Sequence, residues 1–181
     1  MQLVRPTTDH LPSYVAALER GWSADTEAAP EELARIRADA RAFVAGMEDR
    51  EAEGPPVTLP DGPLVERLPG FRRWPWDGEF CGSIGFRWQP GTTELPRHCL
   101  GHIGNAVVPW KRGRGFAKAV LGQLVVEVRS VALPFVELTA DPDDLASQRV
   151  ILANGGPLVE HFIKPPQYGS TSGPRFRITL T

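Results

Sequence analysis

The residues best suited to chemistry lie in one short run, Val107-Val108-Pro109-Trp110-Lys111-Arg112-Gly113-Arg114-Gly115-Phe116-Ala117-Lys118. A β-rich stretch stops at a proline, a basic loop with two glycines follows, and a helix with an apolar stripe begins. The first turn of a helix presents backbone N–H groups without partners in the helix, and the helix dipole adds partial positive charge there. Glycines let the backbone come close to a ligand. Such a loop is an anion site, with phosphate the usual occupant. The basic knot of Lys111, Arg112, Arg114 and Lys118 is sized for a small anionic ligand rather than for a duplex.

Two familiar phosphate loops fit poorly. The P-loop pattern GxxxxGK[ST] is absent. A dinucleotide GxGxxG is met only in part, because Lys118 stands at the third glycine, although Asp141 could pass for the ribose-binding acid. That turn normally opens a series of parallel βαβ units, and here several antiparallel-looking strands come first.

The elements that must position this loop can be read from the rest of the chain. Met1–Val4 reads as a strand, Leu11–Arg20 as a helix ended by Gly21, and a second helix follows Pro30 with Glu31 and Glu32 in its first turn. Leu33, Ile36, Ala40, Phe43, Val44 and Met47 give that helix one apolar face. Residues 54–70 are rich in Pro and Gly, and 59–63 reads as a turn. Strands are predicted around Val65–Leu68, Phe71–Trp76, Phe80–Gln89 and Leu100–Val108. A helix over Gly115–Val131, a strand over Phe135–Ala140 and a helix over Leu145–Ala153 come next; strands at Leu158–Ile163 and Arg175–Leu180 complete the pattern. Helices, then antiparallel strands, then a β-α-β-α-β-β tail describe a mixed α/β domain spanning 1–181.

Composition narrows the function. The chain has 181 residues and a net charge of −2, so no overall basic excess supports nucleic-acid binding. The first residues lack a signal-peptide pattern and no run approaches a membrane span, which makes a cytoplasmic protein the expectation. Cys81 and Cys99 have no accompanying ligand spacing, so no metal site is expected and both are read as reduced, partly buried thiols.

The loop resembles the cofactor motif of the GNAT superfamily of N-acetyltransferases. That motif reads Arg/Gln-x-x-Gly-x-Gly/Ala, and Arg112-Gly113-Arg114-Gly115-Phe116-Ala117 matches each fixed position. The preceding 101–109 looks like the family's fourth strand, and Asp141 to Ile151 looks like its downstream helix segment. The resemblance implies a GNAT-like, mostly antiparallel twisted central sheet of about six or seven strands flanked by about four helices. It also implies acetyl-CoA as co-substrate. Backbone N–H groups from Gly113 through Ala117, and Lys118, would bind its pyrophosphate, with Arg112 and Arg114 around them. Val107 and Val108 would pair with the pantetheine arm, and Asp144 and Ser147 fall in the matched cofactor-binding region.

In the implied reaction a neutral amine attacks the thioester directly. An alkyl ammonium has a pKa near ~10.4, so a proton must leave first. His102, on the strand where relatives often carry a glutamate, is the first candidate base; Glu79 and Glu137 are weaker ones. Ile151 occupies the position where many relatives have an acid tyrosine, and Tyr168 lies in a separate loop. Trp74, Trp76, Trp88 and Trp110 could wall an acceptor cleft or a homodimer contact. The acceptor is expected to be a small-molecule or peptide amine. A catalytically silent acyl-CoA-binding module remains the rival reading.

Overall fold

The computed structural model describes residues 1–24, 29–59 and 62–180. Pro60 and Asp61, within the turn expected at 59–63, lie outside them. In chain order the elements are β1 (Gln2–Val4), α1 (Leu11–Glu19), α2 (Ala29–Ala38), α3 (Ala40–Ala45), β2 (Glu48–Asp49), β3 (Val57–Thr58) and β4 (Leu64–Val65). Then follow β5 (Gly70–Trp76), β6 (Gly82–Arg87), β7 (Ile103–Val107), α4 (Phe116–Val128), β8 (Phe135–Thr139), α5 (Leu145–Leu152), β9 (Leu158–Ile163) and β10 (Ser172–Thr179).

The mixed α/β fold is the expected one, with hydrogen bonding divided between two main sheets. One runs β1-β5-β6-β7 with β2 also on β5, and the other runs β8-β10-β9; every strand pairing among the described residues is antiparallel. β3 and β4 form a separate small hairpin. The helix expected to follow Pro30 as one piece is broken at Asp39, whose φ of −157° and ψ of 95° are extended; its carboxylate caps the new start at the Ala42 N–H. The apolar stripe continues across the break, so periodicity alone did not show it.

Side chains alternate across β5 and β6, and this decides which helices each face receives. Phe71, Ile84 and Phe86 enter a core with Val120, Leu121, Leu124 and Val128 of α4 and Ile151 of α5. Trp74 and Phe80 join Leu11, Tyr14, Leu18, Trp22 and Phe43 in a second core under α1 to α3. The Tyr14 ring stacks on Trp74 at 4.5 Å between centroids. Each such buried side chain contributes about 1.5–3 kcal/mol. α4 and α5 are clasped by Asn154, which donates to the Lys118 and Val150 carbonyls. Gly122 leaves the space, since a Cβ there would stand 2.9 Å from the Asn154 Oδ1. Among the described residues no helix is long and apolar enough to cross a membrane.

One charged residue enters the α4 core. Arg73 is 7% exposed, its Nη1 is 2.6 Å from Glu48 and its Nη2 is 2.5 Å from Glu127, tying β2, β5 and α4 together. Burial alone would raise the Glu48 carboxyl, yet Arg73 and Arg50 hold it below its ordinary value. Removing the guanidinium leaves two partly buried carboxylates with the more exposed Arg50, 2.7 Å from Glu48 and 3.5 Å from Glu127, as the cation they still share. Arg73→Ala is therefore expected to cost about 2–4 kcal/mol, read from urea unfolding; a loss under 1 kcal/mol would show that the pair contributes little.

Candidate functional site

Among the described residues the two sheets are hydrogen-bonded to each other at one place. The His102 N–H donates to the Glu137 carbonyl at 2.8 Å, and the Glu137 N–H donates to the His102 Nδ1 at 3.0 Å. Gly101 permits this approach, because a Cβ there would be 2.9 Å from the Glu137 oxygen. Beyond that joint β7 and β8 share no ladder among the described residues. Two strands that begin together and then part leave a gap with an unpaired edge on each side.

Which β7 residues face the gap follows from alternation. The Arg87 N–H donates to the His102 carbonyl and the Val108 N–H to the Cys81 carbonyl. Gly104 and Ala106 share that parity and turn their main chains to β6. Ile103, Asn105 and Val107 therefore turn theirs to the open edge. Val107 thus turns its main chain to the open edge. Val108 is not available in the same way: its N–H is committed to Cys81 and its side chain is buried in the second core.

The basic loop closes one end of this gap. Gly113 and Gly115 both have φ of +77°, a left-handed conformation that L side chains rarely adopt. The Ala119 N–H bonds the Gly115 carbonyl, so the N–H groups of Phe116, Ala117 and Lys118 precede the helical ladder. Arg112, Arg114 and Lys118 are exposed around them, and the Arg112 Nε donates to the Val107 carbonyl at 3.2 Å. Lys111 departs from the expected basic knot. Its side chain turns inward to Asp77 at 2.6 Å and Glu79 at 2.7 Å.

The remaining expected residues are placed as follows. Asp144 caps α5 by accepting from the Ser147 N–H at 2.9 Å and from the Ser147 Oγ at 2.6 Å. Those two bonds hold its carboxyl below the ordinary range, with the Arg112 charge a smaller cause. A carboxylate engaged in this way is turned onto its own helix. Ile151 is 4% exposed and fills the α4–α5 core. His102 is 1% exposed; its Nε2 is enclosed without a hydrogen-bond partner, and burial pushes its pKa down. The geometry thus gives the imidazole the joint between the sheets rather than contact with open solvent. Cys81 is buried, its pKa raised by burial to about 11, and Cys99 is half-buried; both are free thiols.

On the face of β5 and β6 opposite α4 lies a cavity of about 1060 Å³, lined by Glu31, Arg72, Gly85, Arg87, His98 and Tyr168 among others. The Tyr168 hydroxyl donates to the His98 carbonyl at 2.8 Å, fixing the segment that carries His98 and Cys99. Burial, then Arg87, lowers the His98 pKa. Sequence reading missed Arg87 and His98. Only the strand parity of Arg87 with Gly85 signalled a shared face.

A loop of N–H groups beside an open strand edge is thus the core of the site, and the sequence around it matches a known family. The model of the Acetyltransferase (GNAT) family matches residues 22–155. The chain belongs to this family. No curated protein matches the sequence. Among solved structures, the microcin C7 self-immunity acetyltransferase in complex with acetyl-CoA and AMP aligns over 98% of this chain and 91% of its own, at 12% identity and a TM-score of 0.60. The aminoglycoside acetyltransferase AAC(6')-Ib in complex with coenzyme A aligns over 98% and 94%, at 13% identity and 0.57. A spermidine N-acetyltransferase from Vibrio cholerae aligns over 99% and 95%, at 11% identity and 0.59. At such identities the likeness is one of fold.

The joint of this GNAT chain makes a pH prediction. His102 is neutral in the fold with a lowered pKa, so its stabilisation is present above the unfolded pKa, near ~6.5, and is lost as pH falls below it. Carboxylates such as Glu48 and Asp144 titrate lower and act below about pH 4.5. Stability should therefore drop between pH 6.5 and 5, and His102→Asn, which keeps an acceptor but cannot titrate, should remove much of that slope. Thermal midpoints across this window, compared between the two proteins, check it; parallel slopes would refute it.

Proposed function

We propose that this chain transfers an acetyl group from acetyl-CoA to a primary amine, the amine attacking directly while both substrates are bound. The observation that carries the reading is the unpaired β7 edge at Asn105 and Val107 leading to the N–H groups at the start of α4. Those groups fit the co-substrate. The N–H groups from Gly113 through Lys118 would hold the pyrophosphate, with Arg112 and Arg114 neutralising charge, and Val107 would pair with the pantetheine arm. Acetyl-CoA supplies, when bound, an acetyl group activated as a thioester.

The residues of the chain do the rest. Open-edge N–H groups of β7 point where a thioester carbonyl can be polarised. His102 positions that edge by holding β7 to β8. His98 lines the acceptor cavity and, with its pKa lowered, is neutral near pH 7 and able to take the ammonium proton. Asp144 and Ser147 support the site by capping α5. The buried Ile151 provides no proton, so the leaving thiolate relies on solvent in the cavity.

That missing acid is also what favours a second reading, a silent acyl-CoA-binding module. Titration with acetyl-CoA followed by free-thiol release against an amine panel separates the two. We expect micromolar binding, amine-dependent thiol release, and for Gly115→Val a loss of binding of ~10-fold or more, since a β-branched residue at φ of +77° is strained. His98→Ala should lower kcat ~100-fold without changing acetyl-CoA affinity. Binding without release would favour the silent module, and no binding would end both readings.

A further inference from the structure

The acceptor cavity has a bare floor. Gly85 and Gly104 are direct partners in the β6–β7 ladder. Neither has a positive φ, so the backbone does not require glycine at either position. A Cβ on Gly104 would meet nothing nearer than the Arg87 Nη2 at 3.9 Å, and one on Gly85 would meet only Arg72 Cγ and the Phe71 carbonyl, at 3.6 and 3.7 Å. On the face away from α4, Gly85 gives its room to the cavity, and Gly104 leaves the space over which the Arg87 guanidinium lies.

A cation lies over that floor. Arg87 is exposed, lines the cavity, and its Nη2 stands over Gly104. Nearby Arg67 is paired with Asp49. Arg87 has no carboxylate within ion-pair distance among the described residues; on the cavity wall its guanidinium hydrogen-bonds the Cys99 thiol and its charge is felt by His98. Gly104 is followed by Asn105, whose main chain faces the gap between β7 and β8. An anionic group held by Arg87 would therefore lie one residue away from the edge at which the acyl group is offered.

Building on the acetyl-transfer reading, we propose that the acceptor is an amine that carries a carboxylate close to its nitrogen, an amino acid, with Arg87 holding the carboxylate and the glycine floor admitting it. A guanidinium matches a carboxylate with two parallel hydrogen bonds. Its charge disfavours a cation at this end of the cavity, whose lining elsewhere includes Glu31, Glu32, Asp49 and Glu66. Here Arg87 is a specificity residue, and it acts on binding of the acceptor rather than on the bonds that change.

The test compares each of the twenty amino acids with its carboxamide, and with spermidine and kanamycin, in thiol release by the whole chain supplied with acetyl-CoA. For the preferred amino acid, KM should be ~10–100-fold below that of its amide, the worth of a charge-assisted pair. Arg87→Gln should raise KM for the acid by that factor, leave KM for the amide little changed and the acid-to-amide ratio of kcat unaltered, and leave acetyl-CoA binding intact by titration. Gly104→Val, which needs no backbone change, should block the acid while acetyl-CoA still binds. Equal use of acid and amide, preference for spermidine or kanamycin, or no amino acid used while acetyl-CoA binds would overturn this inference and leave the cofactor site standing. Loss of acetyl-CoA binding in the unaltered chain would instead remove the reading beneath it.

Discussion

The arrangement depends on two hydrogen bonds between His102 and Glu137. An ordinary ladder would have continued along β7 and β8 and produced one closed sheet. Here an imidazole nitrogen replaces a backbone carbonyl as acceptor for the Glu137 N–H. The replacement joins the strands once and then lets them part. The free edge at Asn105 and Val107 descends from that single joint, and the basic loop closes its far end. An imidazole can do this only while its Nδ1 lone pair is free, which ties the geometry of the gap to a neutral ring.

The two faces of the first sheet divide the labour. Under α4 the side chains of Phe71, Ile84 and Phe86 pack tightly, and the buried charge admitted among them, Arg73, is paired with carboxylates. On the other face the same strands present Arg72, Gly85 and Arg87 to a cavity. Arg73 and Arg87 are one residue type on neighbouring strands with opposite uses. The first is satisfied internally and holds structure together, whereas the second points its charge at space that a ligand can occupy. Strand parity alone separates them.

Much of this was legible in the residue pattern, for local reasons. The start of α4 is written in Pro109, Gly113, Gly115 and an apolar stripe, and the strands from Phe71 to Val108 announce themselves by alternation and turn residues. What sequence could not show were partners far apart in the chain. His102 could be seen as a candidate base, but its ties to Glu137, 35 positions away, are a tertiary event. Lys111 looked like part of a basic loop until Asp77 and Glu79 drew it inward. Val107 and Val108 are chemically equivalent in the sequence, and only the register with β6 distinguishes an open main chain from a committed one. The break at Asp39 was hidden because its apolar neighbours keep helical spacing on both sides.

The order β8-β10-β9 has a consequence for synthesis on the ribosome. β8 and β9 each pair with β10 and not with each other, so neither has a ladder until residues 172–179 have emerged. The first sheet and α4 can assemble earlier, since domains gain structure from the N-terminal side as the chain lengthens. The far wall of the gap, carried by β8, then waits on β10. A nascent chain would thus form its basic loop early and complete the gap between β7 and β8 only in the last steps of translation.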